Sequence, residues 1–87
     1  MSRIEIYTTP FCPYCQRAKA LLQRKNVDFE EYDVSMTPGA RQEMQARANG
    51  KRTVPQIFVD GTHVGDSDEL VRLERSGELD AVLQGKA

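Results

Sequence analysis

The sequence predicts an α/β protein with a four-stranded mixed sheet flanked by helices. Short β-favouring segments alternate with segments of helical periodicity in the order β-α-β-α-β-β-α-α. One right-handed β-α-β unit, a second crossover and a closing hairpin arrange the four strands in one sheet. The chain has 87 residues, so we expect a single domain over residues 1–87 with a modest core.

The first strand and helix flank a short loop. Ile4 and Ile6 alternate with polar residues in a strand over residues 3–8, and apolar residues at helical spacing predict a helix over residues 13–25. The loop between them, Thr9-Pro10-Phe11, is expected to bring Phe11 over the site or over the core.

The second strand and helix are less regular. Residues 27–34 read as a strand whose alternation changes phase, which a bulge or an edge position would explain. Thr37 is the expected N-cap of the next helix, with Pro38 at its first position, and this helix runs to about Ala48.

A hairpin and two helices complete the chain. A strand starts at Pro55, and Asp60-Gly61 turns the chain into residues 62–64. Asp66 and Glu69 resemble a capping box at the start of the third helix, which should break at Ser76-Gly77. The last helix is predicted over residues 78–83.

The two cysteines form the stretch Cys12-Pro13-Tyr14-Cys15 between the first strand and helix, which is typical of a redox-active pair. Unpaired N–H groups and the positive dipole at the helix start would stabilise a thiolate at Cys12, and the thiolate is the attacking species. Cys15 lies one turn further, within reach for a disulfide. Tyr14 is expected at the rim of the site.

Three other interpretations of the pair remain open. A structural disulfide would close a very small ring and stabilise weakly. Half of a zinc site would lack ligands, because the chain offers only His63 besides the cysteines, and His63 reads as an exposed hairpin residue without a role. An inert core pair fits poorly with a strand-to-helix turn.

Composition limits the partners. The formal net charge is −1 and Lys51-Arg52 is too short for a basic tract, so we expect no nucleic-acid partner. No apolar run approaches a membrane span and the N-terminus lacks a secretory pattern. We therefore expect a cytoplasmic protein, where a cysteine pair tends to be catalytic.

Over essentially its whole length the chain resembles the dithiol class of the glutaredoxin family. The resemblance rests on Cys12-Pro13-Tyr14-Cys15, on Thr53-Val54-Pro55 and on Gly65-Asp66-Ser67-Asp68, in this order and spacing. It implies the thioredoxin fold with Pro55 in the cis form. It also implies a monomeric, glutathione-dependent oxidoreductase that reduces protein disulfides and glutathionylated proteins, without a tightly bound cofactor or a metal.

The resemblance also implies a glutathione site. The Val54 backbone would pair with the cysteinyl residue of glutathione, and the helix start at Ser67 and Asp68 would bind its γ-glutamyl end. Gln42 would hold the glycyl carboxylate, with Arg41 and Arg52 as alternatives. The implied site residues are Cys12 and Cys15 for catalysis and Tyr14, Gln42, Thr53, Val54, Pro55, Ser67 and Asp68 for glutathione.

The implied chemistry is thiol–disulfide exchange, in which Cys12 attacks first and Cys15 resolves. Two residues depart from the family pattern. Thr9 replaces a usual Lys that would help stabilise the thiolate, and Asp66 replaces a usual Gly beside the expected anionic ligand. We expect Asp66 to weaken binding slightly unless it turns away to cap the helix.

Two alternatives to this function are a redoxin reduced by thioredoxin reductase and a protein that shares an iron–sulfur cluster between two subunits. Ser67-Asp68 argues against the first. Pro13 and Tyr14 argue against the second, whose members resemble a Cys-Gly-Phe-Ser site.

Overall fold

The computed structural model describes residues 2–85. Four strands form one mixed sheet in the order β2-β1-β3-β4. β1 pairs parallel with β2 and antiparallel with β3, and β3 pairs antiparallel with β4, so the predicted fold class is confirmed. The elements are β1 Ile4–Thr8, α1 Pro13–Arg24, β2 Glu30–Asp33, α2 Ala40–Arg47, β3 Gln56–Val59, β4 Thr62–Gly65, α3 Ser67–Ser76 and α4 Leu79–Leu83.

The central strand β1 is buried along its whole length because helices cover both faces of the sheet. Ile4 and Ile6 pack on one face in a cluster with residues of α1, α3 and α4. Tyr7 packs on the other face with Met44 of α2 and with Phe58. Alternate residues of β1 therefore serve two separate hydrophobic clusters.

A buried ion pair ties α2 to β1. The Glu5 side chain is almost completely buried, and Arg47 donates to its Oε1 at 2.8 Å. The Tyr32 hydroxyl donates to Glu5 Oε2 at 2.9 Å, and Arg47 also donates to the Tyr7 hydroxyl at 2.7 Å. The buried carboxylate thus has both a counter-charge and hydrogen bonds, which a charge at this depth requires.

The second strand is shorter than predicted. It begins at Glu30 rather than at residue 27, because only Glu30 to Asp33 pair with β1. Val27 and Phe29 instead pack against the core from the preceding segment. The strand lies at the edge of the sheet, which is one of the two explanations expected for its irregular alternation.

The predicted start of α2 is wrong. The helix begins at Ala40, and its N-cap is Gly39 with φ +80°, a conformation that glycine adopts without steric penalty. Thr37 and Pro38 belong to the turn before the helix. That turn is held by Asp33, whose carboxylate accepts the Ser35 N–H at 2.9 Å.

Only one of the two hydrogen bonds of the predicted capping box forms at the start of α3. The Asp66 carboxylate accepts the Glu69 N–H at 3.0 Å, as expected. The Glu69 carboxylate does not return the bond but accepts hydrogen bonds from Arg72. α3 ends at Ser76, where Gly77 adopts φ +81° as the expected stop.

Strand directions bring four segments to one end of the sheet. The end of β1 and the end of β2 lie there because the two strands are parallel. The start of β3 and the end of β4 lie there as well, because both adjoining pairings are antiparallel. The cysteine loop, residues 53–55 and the start of α3 therefore meet at this end. None of the helices within residues 2–85 has both the length and the apolar character needed to cross a bilayer.

Candidate active site

Cys12 is the N-cap residue of α1. Its backbone is extended, with φ −102° and ψ 112°, and its Sγ accepts the N–H of Cys15 at 3.3 Å. Pro13 occupies the first helical position, where no N–H is needed. The sulfur thus takes the place that a Ser or Asp oxygen occupies at an ordinary helix start. Because Cys12 is partly exposed at this position, it is not an inert core cysteine.

The surroundings of Cys12 favour its thiolate. Burial is the largest single influence and by itself raises the pKa of Cys12. Hydrogen bonds from the thiol and N–H of Cys15, from the Tyr14 N–H and from the Thr9 hydroxyl outweigh it and lower the pKa below that of a free thiol. Thr9 therefore supplies part of the thiolate stabilisation that the family resemblance assigned to a Lys at this position.

Cys15 has the opposite character. It is fully buried, and this burial, together with the hydrogen bond and charge of Cys12, raises the pKa of Cys15 to about 12. Both thiols are free in this structure. The pair consequently combines an accessible sulfur that ionises easily with a buried sulfur that keeps its proton at neutral pH.

A groove of about 270 Å³ adjoins the cysteine motif through Tyr14. Six of the seven residues that the sequence assigned to glutathione line it, and the seventh lining residue is Asp66. The Val54–Pro55 peptide bond is cis, as the resemblance implies. The six predicted residues in the groove are Tyr14, Thr53, Val54, Pro55, Ser67 and Asp68.

The start of α3 gives this groove donor groups. The first N–H groups of a helix have no partner within the helix. Asp66 takes that of Glu69, while Ser67 and Asp68 lie in the first turn against the groove. A side chain on Gly65 would meet Glu69 Cβ at 2.8 Å, so the close approach of β4 to α3 depends on glycine there.

Gln42 is not among the lining residues of the groove. It is exposed on α2. Its neighbour Arg41 donates to the carbonyl of Arg52 at 2.6 Å, which ties α2 to the segment that leads into Thr53. Cys12 itself also lies outside the lining and borders the groove through Tyr14.

A hydrogen-bond chain behind the groove involves His63 and Gln56, which the sequence analysis did not assign. The Gln56 side chain is fully buried, and its Nε2 donates to the carbonyl of Thr53 at 3.0 Å. Its Oε1 lies 2.7 Å from Nε2 of His63. His63 is half-buried rather than exposed as expected, and burial, with the charge of Lys51, lowers its pKa. A polar residue in the apolar run Gln56-Ile57-Phe58-Val59 was the available signal, because such a residue needs a buried partner.

A larger groove of about 860 Å³ lies on the α2 side of the sheet and contains neither cysteine. Its walls include Glu5, Tyr7 and Arg47, whose polar atoms bond to one another. The smaller groove beside Cys12 is therefore the candidate site.

The mixed sheet and the Cys-x-x-Cys helix start facing a cis-proline loop together define a dithiol redox protein of the thioredoxin fold. The family model for glutaredoxin matches residues 4–64. The chain belongs to the glutaredoxin family. Membership of this family supports thiol–disulfide oxidoreductase activity. The Cys12–Cys15 spacing is that of its dithiol class.

Relatives and solved structures agree with this. The glutaredoxin of Pseudomonas aeruginosa is 55% identical over 83 residues, which cover 95% of this chain and 98% of that protein. The solution structure of the Brucella melitensis glutaredoxin superposes with a TM-score of 0.83 at 52% identity, covering 98% of this chain and 91% of that chain. A buckwheat glutaredoxin–glutathione complex superposes with a TM-score of 0.85 at 25% identity, covering 98% and 79%.

Proposed function

We propose that the protein uses glutathione to reduce glutathionylated proteins and protein disulfides, with Cys12 as the nucleophile and Cys15 as the resolving thiol. The observation that carries this proposal is the contrast between the two sulfurs. Cys12 is accessible with a lowered pKa, whereas Cys15 is buried with a pKa of about 12. The first therefore attacks, and the second reacts only when Cys12 has formed a disulfide next to it.

With a glutathionylated protein, the Cys12 thiolate attacks the glutathione sulfur. The mixed disulfide breaks, a Cys12–glutathione disulfide forms, and the protein thiolate leaves and takes a proton from water. A second glutathione thiolate then attacks the adduct, which releases oxidised glutathione and restores the Cys12 thiolate. This covalent sequence predicts ping-pong kinetics.

With a protein disulfide, Cys12 attacks one sulfur and the other leaves as a thiol. Cys15 then loses its proton and attacks Cys12, so that the Cys12–Cys15 disulfide forms and the second substrate thiol is released. Two glutathione molecules reduce this disulfide and leave as oxidised glutathione. The buckwheat complex supports glutathione as the reductant by analogy.

We propose that glutathione binds in the groove beside Tyr14. Its cysteinyl residue pairs with the backbone of Val54, with Thr53 and Pro55 on either side, in the manner of an added strand. The γ-glutamyl carboxylate binds the start of α3 at Ser67, and Asp68 binds the ammonium group.

The glycyl carboxylate requires a donor at the far end of this groove. We assign it to Gln42, with Arg41 and Arg52 as the alternatives. The hydrogen bond from Arg41 to the Arg52 carbonyl supports this placement, because it brings α2 next to the segment that enters Thr53.

We also propose that residues 1–87 act as one monomeric domain in the cytoplasm, with no tightly bound cofactor and no nucleic-acid or membrane partner. The single sheet of the described residues supports one domain. A net charge of −1 gives no electrostatic reason to bind a polyanion.

The test is glutathione-coupled reduction of the mixed disulfide of glutathione and β-mercaptoethanol. We expect turnover that saturates with glutathione, is abolished by Cys12→Ser and is retained by Cys15→Ser, which should lose most reduction of protein disulfides. Loss of both activities in Cys15→Ser would refute the division of roles. Turnover with thioredoxin reductase and NADPH but none with glutathione would refute the glutathione site.

A further inference from the structure

Three large hydrophobic side chains stand out in the solvent among the described residues, and all three lie at the catalytic end of the sheet. Phe11 is 97% exposed, Met36 is 76% exposed and Tyr14 is 54% exposed. Tyr14 already forms a wall of the groove. Phe11 and Met36 have no such role, and we call the area they form the Phe11–Met36 surface.

The backbone conformation and the exposure of Phe11 are both energetically unfavourable. Its φ of +64° lies in the left-handed region, where a bulky side chain is an outlier. Its near-complete exposure leaves the ring without packing in the folded protein. Neither feature stabilises the fold, and the residue directly precedes Cys12. A residue with these properties at a functional site favours an external contact over a structural role.

The strand order places this surface on the other side of Cys12 from the groove. Residues 53–55 precede β3, and Asp66 to Asp68 follow β4, so the groove lies towards the β3–β4 half. Met36 follows β2, which flanks β1 on the opposite side. The Val34 N–H donates to the Thr8 carbonyl at 2.9 Å, which holds the Met36 turn beside the loop that carries Phe11.

We propose that the Phe11–Met36 surface contacts the polypeptide half of a glutathionylated substrate, and that it selects an apolar residue next to the substrate cysteine. This inference rests on the proposed glutathione groove. With the glutathione half in that groove, the polypeptide half must pass over the side of Cys12 that remains open. Phe and Met are enriched in the buried centres of protein interfaces, which fits two exposed apolar side chains beside the reactive cysteine.

The test compares two glutathionylated peptides that differ only in the residue before the modified cysteine, Leu in one and Ser in the other. For the unmodified protein we expect kcat/KM to be about 10-fold higher for the Leu peptide, which corresponds to about 1.4 kcal/mol. Phe11→Ser should bring this ratio to within about 2-fold, since about one apolar contact is removed. Met36→Ser should reduce it in part.

Arg24→Ser is the matched control, because it truncates an equally long, exposed side chain at the far end of α1. It should keep the full ratio. Phe11→Gly separates a docking role from a structural one. Glycine adopts φ +64° freely, so this variant should be at least as thermally stable as the unmodified protein while losing the peptide preference.

Equal turnover of the two peptides, or a preference that persists in Phe11→Ser, would overturn the inference. If the protein reduces the mixed disulfide of glutathione and β-mercaptoethanol, such a result leaves the proposed function standing. If no glutathione mixed disulfide of any kind is reduced, the proposed function fails and the Phe11–Met36 inference fails with it.

Discussion

Replacing His63 with Leu should destabilise the protein, because the buried amide of Gln56 loses a hydrogen-bond partner. The Gln56 amide is fully buried, and its nitrogen donates to the Thr53 carbonyl. The Gln56 Oε1 is therefore the atom that faces His63, and His63 must carry a proton on Nε2 to donate across the 2.7 Å contact. His63→Leu removes this donor and places an apolar side chain beside Phe58, against which the His63 ring packs.

The size of the effect follows from burial. A buried acceptor that loses its donor costs about 1–3 kcal/mol. That is a large part of the 5–15 kcal/mol that is typical for a folded domain. Because the same amide holds the Thr53 carbonyl, we also expect a higher KM for glutathione mixed disulfides, with a smaller change in kcat.

Urea unfolding at neutral pH measures the first effect and steady-state kinetics measure the second. His63→Gln is the matched control, because its side-chain amide can donate to the same oxygen and should recover most of the lost stability. If His63→Leu unfolds at the same urea concentration as the unmodified protein, the hydrogen-bond chain does not contribute to stability. If His63→Gln is as unstable as His63→Leu, the missing donor is not the cause.

His63 also links stability to pH. Burial, together with the charge of Lys51, lowers its pKa in the folded protein. The unfolded chain therefore binds the proton more readily, and stability falls as the pH drops from about 7 to about 5. The unmodified protein should lose more stability over this range than His63→Gln. Parallel curves for the two proteins would contradict the assignment.

Three further predictions concern single side chains. Thr9→Val should raise the pKa of Cys12, because a hydroxyl donor to the thiolate is lost. Titration of the thiolate by its ultraviolet absorbance measures this pKa, and an unchanged pKa in the variant would contradict the prediction. Arg47→Met should lower the free energy of unfolding in urea by about 2–4 kcal/mol, which is less than for a fully buried ion pair because Arg47 is 26% exposed. The difference between the two proteins should shrink in acid, because Glu5 then takes up a proton and the ion pair is lost. An undiminished difference at low pH would argue against this explanation. Asp66→Gly should change the KM for glutathione less than about 2-fold and stability by a few tenths of a kcal/mol, because the carboxylate is turned onto the helix, whereas a several-fold fall in KM would show that its charge opposes the ligand.

Local patterns were enough to predict the parts of the site that local chemistry determines. The cysteine pair at a helix start and the Asp66 cap each depend on neighbours within a few residues. The start of β2 at Glu30 depends on which residues meet β1, and no local pattern encodes that pairing. The α2 start failed for a related reason, since Asp33 holds a turn through residues where Thr37 was expected to cap the helix.

Two side chains could not be understood without the tertiary structure. Phe11 was expected to cover the site or the core, but its left-handed backbone directs it into solvent. His63 was expected to be exposed, but the hairpin brings it to Gln56 on the paired strand. In both cases the outcome depends on backbone geometry and cross-strand contacts that residue type alone does not specify.

The unequal cysteines make the protein suited to chemical labelling at one atom. At neutral pH the Cys15 thiol, whose pKa is raised to about 12 by burial, stays protonated, and it has no exposed surface that a reagent could reach. An alkylating dye should therefore attach to Cys12 alone in the native reduced protein, without any need to remove Cys15. The dye would lie beside the groove, where its fluorescence should change when a ligand binds there.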